Sequence, residues 1–159
     1  MIRIARVVLV ASLALWVGGL ATISFVLAPT AFKVAPSRQV AGQIVGTSLR
    51  TFGTIEVVCG VLAVASSIFL RSKTGRGKPV VGLVILMLMI TLVYVGFVYP
   101  AAAAQREIMN DPRPQIVLHE SPEEKFAKLH RASVALVGTN ILLGAAALGF
   151  AAVARPDGP

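Results

Sequence analysis

Charge is scarce in this chain, and acid is scarcer still. Only 14% of its 159 residues are charged, with seven acids against fifteen lysines and arginines. A soluble domain carries roughly 25% charge. Too little polar surface is therefore available to cover a water-facing globule of this length. Cysteine appears once, at Cys59, which excludes an intrachain disulfide. It stands inside an apolar run and reads as a small apolar filler. Histidine appears twice, at His119 and His130, and neither lies in an HxxxH or CxxC spacing. No serine sits in a nucleophile elbow, and no Ser/His/Asp set can be assembled. Gly75 and Gly77 frame a basic turn rather than a phosphate loop. A cofactor, a metal site and an enzymatic activity are accordingly not expected.

What remains is apolar. Hydrophobic residues make up 56% of the chain, and the mean hydropathy is +0.81. A helix needs about 20 apolar residues to span a bilayer. Four segments meet that length, at about 4–28, 51–70, 80–104 and 132–154. Backbone groups in lipid must be satisfied within the segment, so the spans are expected to be helices. The expected fold class is all-α: an integral membrane four-helix bundle forming a single four-span domain over 1–159. The first span comes after Arg3 and Arg6, as a secretory signal would. Its apolar run reaches from Val7 to Ala28, longer than the roughly 7–15 residues of a signal core, so it reads as a retained helix.

The net charge of +8 belongs to this membrane context. Basic residues flank the apolar runs instead of clustering on one face, so they meet anionic headgroups and no nucleic acid is expected. Four spans place both termini on one side. Arg71, Lys73, Arg76 and Lys78 crowd one short connection with no acid among them. Short basic connections stay inside, so both termini are expected in the cytoplasm, with the chain in a bacterial inner membrane.

Helix starts are marked by serines. Pro36 breaks the chain and Ser37 caps the next helix, which is expected to run unbroken from about Arg38 to Leu70. Asp111, Pro112, Arg113 and Pro114 form a turn. Ser121, Pro122 and Glu124 then set out a capping box for the fourth helix.

Small residues let membrane helices approach closely. Gly42, Gly46, Leu49, Gly53, Glu56, Gly60, Ala63 and Ser67 recur at spacings of three and four along one face of the second helix. His130, Ser133, Val137, Asn140, Gly144, Ala147 and Ala151 do the same on the fourth. These faces are expected to point inward, toward each other. Gly18, Gly19 and Thr22 add to the packing from the first helix, and Thr91 and Tyr94 from the third. Trp16, Tyr94 and Tyr99 read as packing or interfacial groups.

Glu56 is the only acid within a span. Ionised groups inside a bilayer cost several kcal/mol, which makes each a functional hypothesis. Its expected depth is roughly 8 Å, five residues past the span's start. Arg50, His130 and Arg131 are its candidate partners. Glu56, His130, Ser133 and Asn140 form the candidate intramembrane polar site. Two readings are open for it: structural hydrogen bonding, or a path for protons or cations.

The residues also resemble a family. Trp16, Gly18 and Gly19, then Phe25, Ala28, Pro29 and Phe32, are similar to the opening of the bacterial DUF4149 proteins, related to the TMEM205-like domain. The stretch from Pro36 to Phe52, with Ala41 and Gly42, resembles its second element. Phe126, His130 and Ser133 resemble its last-helix signature, with Val137 where the family carries an asparagine. The resemblance implies a four-helix membrane protein of poorly defined function. The role expected for the chain is a non-enzymatic structural or accessory membrane component, partnered by lipid, further copies of itself or other membrane proteins. The alternative is a small proton- or cation-handling transporter. A more distant likeness, to the membrane domains of copper-resistance and haem-linked proteins, adds a haem or copper association as a third.

Overall fold

In the computed structural model, residues 1–74, 78–109 and 121–153 are described. The basic turn at 75–77, the turn at 111–114, and His119, Glu120 and Arg155 lie outside these. Four long helices account for nearly all of the described chain: α1 (Ile2–Val34), α2 (Arg38–Thr74), α3 (Lys78–Met109) and α4 (Pro122–Val153). Each is long and apolar enough to cross a bilayer. No strand occurs among the described residues.

The two serine caps form as their sequences demand. The Val40 amide donates to Ser37 Oγ at 3.2 Å, and the Glu124 amide donates to Ser121 Oγ at 3.2 Å. Pro122 opens α4, where its missing N–H costs nothing. Uninterrupted from its cap, α2 has 37 residues. At 1.5 Å per residue it is about 55 Å long, against about 30 Å of hydrocarbon. Its ends therefore stand clear of the membrane core.

The first helix runs past Pro29, beyond its expected end. A π-turn at Ile23–Leu27 precedes the proline, and the Ala28 amide donates five residues back to Ile23 O. The widened turn carries the chain past the residue that lacks a donor. In α3 the same device recurs: a π-turn at Tyr94–Val98 precedes Pro100, and the Tyr99 amide donates to Tyr94 O.

The helices pack as a square. α1 and α3 each lie against both α2 and α4. α2 and α4 are thus diagonal, which corrects the expectation that their small-residue faces meet directly. Both faces do point inward, and they meet α1 and α3 instead. Gly60 of α2 accepts the Trp16 ring and Leu88, where an added Cβ would come within 3.0 Å and 2.7 Å. Gly144 of α4 accepts Val17 and Met87, Gly19 accepts the Phe52 ring, and Gly53 accepts Val95. Gly18 is the exception: it is exposed, with open space beside it, because Gly19 occupies the packed side of α1.

Leu13, Trp16, Val84, Met87 and Ala147 are fully buried. With Leu9, Leu20, Cys59, Ala63, Val80 and Ala151 they make one core. That core fills the half of the bundle nearer the chain ends. Outside, Phe25, Phe97 and Leu142 are more than two-thirds exposed, surface that lipid tails cover at no cost.

Candidate functional site

Glu56 is the central residue of α2, eighteen residues from either end of the helix. It is buried, 4% exposed. The residues level with it are Trp16, Thr91 and Asn140, so each helix contributes one polar group to a single layer. Trp16 and Thr91 stand at the middles of their expected spans. The carboxyl therefore lies near mid-membrane, deeper than the roughly 8 Å expected from where the apolar run begins.

Bonds within the layer run in one direction. Asn140 Nδ2 donates to Thr91 Oγ1 at 2.9 Å, and Thr91 Oγ1 donates to Glu56 Oε2 at 2.8 Å. The threonine hydroxyl donates its one hydrogen bond to the carboxyl and accepts one from the amide, so it acts as donor and acceptor at once. Because α2 and α4 are diagonal, Thr91 on α3 is what joins their polar groups. The Trp16 N–H faces the same carboxyl from α1. It falls short of hydrogen-bond geometry, and it and Asn140 Oδ1 are buried without a partner. An unpaired buried polar atom costs about 1–3 kcal/mol.

Of the four expected site residues, two are in the layer and two are not. His130 is exposed and stacks on Phe126 with ring centroids 6.2 Å apart. Ser133 donates back to Leu129 O at 2.9 Å, within its own helix. Ten residues separate His130 from Asn140, about 15 Å along the axis. The expected ion pairs are also absent among the described residues. Arg50 lies over the Tyr99 ring, 5.5 Å from its centroid, and reaches no acid there.

Trp16 and Thr91 are the site residues that sequence reasoning underrates. Trp16 is fully buried rather than interfacial. Its signal is the pairing with a small residue, Gly60, on a neighbouring helix, which a single sequence does not display. Thr91 is an ordinary residue in a span until a carboxyl stands opposite.

Two surface grooves flank the bundle. One is lined by Met1, Ile2, Arg3, Phe69 and Lys73. The other runs between Ile23 of α1 and the Gln43, Thr47, Ser48 and Thr51 side of α2. Glu56 lines neither. Among the described residues no three His, Cys, Asp or Glu side chains gather as a metal site would need. The arrangement can hold a carboxyl in a fixed pose in a low dielectric.

Comparison with known proteins gives one family match. The model described as "Domain of unknown function (DUF4149)" covers residues 11–111. That range holds Trp16, Glu56 and Thr91 and stops before α4, so the Phe126, His130 and Ser133 resemblance lies outside it. The TMEM205-like likeness gains no support from the match. No curated protein and no solved structure matches the chain.

Proposed function

Because the chain belongs to the DUF4149 family, a family without an assigned activity, we propose that it is a non-enzymatic structural or accessory component of the membrane. The four apolar helices make it an integral membrane protein. The observation that carries the functional reading is the polar layer. Trp16, Glu56, Thr91 and Asn140 bring one group from each helix to one level, and all four are buried.

Hydrophobic burial does not select one helix arrangement over another in lipid. A buried polar set does, since a slipped or rotated helix strands its polar group in hydrocarbon at a cost of several kcal/mol. The layer therefore acts as a register lock. The working surfaces of such a protein are its outer faces, where lipid, further copies or other membrane proteins dock. The dense basic segment around Arg71, Lys73 and Lys78 supports cytoplasmic termini in a bacterial inner membrane.

A second reading, proton or cation handling at Glu56, is favoured by the two unpartnered atoms, Trp16 Nε1 and Asn140 Oδ1, beside the carboxyl. One experiment separates the two. Proton and cation flux is measured in liposomes for the wild type and Glu56→Gln, with thermal stability followed in parallel. The accessory reading expects no flux from either protein and a changed stability in the variant. Flux in the wild type that the variant loses would overturn it in favour of ion handling.

A further inference from the structure

Fifteen residues beyond Thr91, Arg106 leaves the side of α3 and lies between α2 and α4. Its Nη2 and Nη1 rest against Gly42 and Gly46, where an added Cβ would stand 3.5 Å from each. Its guanidinium lies 5.2 Å from the Phe126 ring centroid. Gly46 also touches the Tyr99 ring, 3.8 Å from the same added Cβ. The face of Tyr99 in turn carries the Arg50 guanidinium. Gly46 thus joins two arginine–aromatic pairs into one cluster. Among the described residues no carboxylate pairs with either arginine.

This is an unbalanced arrangement. Arg106 is half-buried, and its charge is permanent. Two guanidiniums drawn together repel unless an anion lies between or beside them. The aromatic rings offset part of the desolvation through their π-faces but supply no negative charge. The glycines, which carry no side chain, leave room for the guanidinium beside α2.

The level of the cluster identifies the anion. Tyr99 and Arg106 lie about 12 and 22 Å along α3 from the polar layer, and Gly46 about 15 Å along α2. Half the hydrocarbon thickness is about 15 Å. With the polar layer near mid-membrane, Tyr99 and Gly46 stand at the inner side of the hydrocarbon edge and Arg106 stands beyond it, at the level of phospholipid phosphates. We infer that Arg106 and Arg50, set on Phe126 and Tyr99 around Gly46, form a binding site for the headgroup phosphate of an anionic phospholipid. This does not depend on whether Glu56 is a lock or a proton site.

The test uses the full chain in neutral detergent. Thermal unfolding is followed while phosphatidylglycerol, phosphatidylcholine or inorganic phosphate is added. Phosphatidylglycerol is expected to raise the midpoint more than phosphatidylcholine. Arg106→Gln and Arg50→Gln should each weaken that effect about tenfold, the loss expected for one charge-assisted contact. Arg38→Gln, an exposed cation toward the same end, should leave it unchanged. Arg50 is exposed, so its variant reports on binding even if Arg106→Gln folds poorly. Equal response to the two lipids, or wild-type titrations from the folded variants, would overturn the site. Equal protection by inorganic phosphate would make it a soluble-anion site and overturn the lipid assignment.

Discussion

The Thr91 hydroxyl donates to the Glu56 carboxyl at 2.8 Å while accepting from Asn140 at 2.9 Å, so one threonine links two helices that do not pack on each other. Thr91→Val keeps the shape and removes both bonds. It strands a carboxyl and an amide in a buried layer, and is expected to destabilise the protein by about 2 kcal/mol. Thr91→Ser restores the hydroxyl and should recover most of that loss. Unfolding equilibria in mixed detergent micelles measure both. Equal stability of the valine and serine variants would show that the hydroxyl does not matter.

Glycine substitutions should divide by position. Gly144→Ala drives a methyl into Val17 and Met87 and is expected to cost about 1–3 kcal/mol. Gly149→Ala, five residues on, meets open space and should leave stability unchanged or raise it by up to about 1 kcal/mol, the helix-propensity gain over glycine. The same unfolding measurement compares them.

The only tryptophan in the chain is Trp16, and it is fully buried. Its fluorescence should resist quenching by iodide and acrylamide in folded protein. Glu56→Gln should shift its emission, because the indole N–H faces that carboxyl. Strong acrylamide quenching of the wild type would show that the layer is open to solvent, against the buried lock.

Ser121→Ala removes the hydroxyl that holds the Glu124 amide. The expected loss is about 1 kcal/mol, confined to the first turns of α4. Amide hydrogen exchange should rise around Glu123–Lys125 and stay unchanged near Asn140.

Much of this architecture is legible in the residues themselves. Apolar length yields the four spans, and Ser37 and Ser121 mark helix starts through a local bond that needs no tertiary information. Glu56 and Asn140 stand out because polar groups are costly in hydrocarbon. Periodicity tells which face of a helix is inward but not which helix it meets. Two inward stripes on α2 and α4 therefore look like a facing pair, when Thr91 intervenes. His130 and Ser133 continue the Asn140 stripe by spacing alone. The inward face of α4 is buried only from Asn140 onward, with Gly144, Ala147 and Ala151. Toward its start, the fourth helix meets the half of the bundle where Arg106 replaces the close core.

The two π-turns have a consequence for how the inner and outer halves of α1 and α3 are related. Each inserts one residue into the helical count, so the inward phase slips by one position. Eight residues after Ile23, Ala31 is buried, while Thr30, seven after, is exposed. Eight residues after Tyr94, Ala102 is half-buried, while Ala101 is exposed. A substitution pattern extrapolated from Leu13 or Val84 at a constant repeat would face lipid beyond the prolines. Each of these helices is in effect two segments with separate angular settings. One setting serves the packed core around Trp16, and the other turns Tyr99 and Arg106 toward the headgroup region.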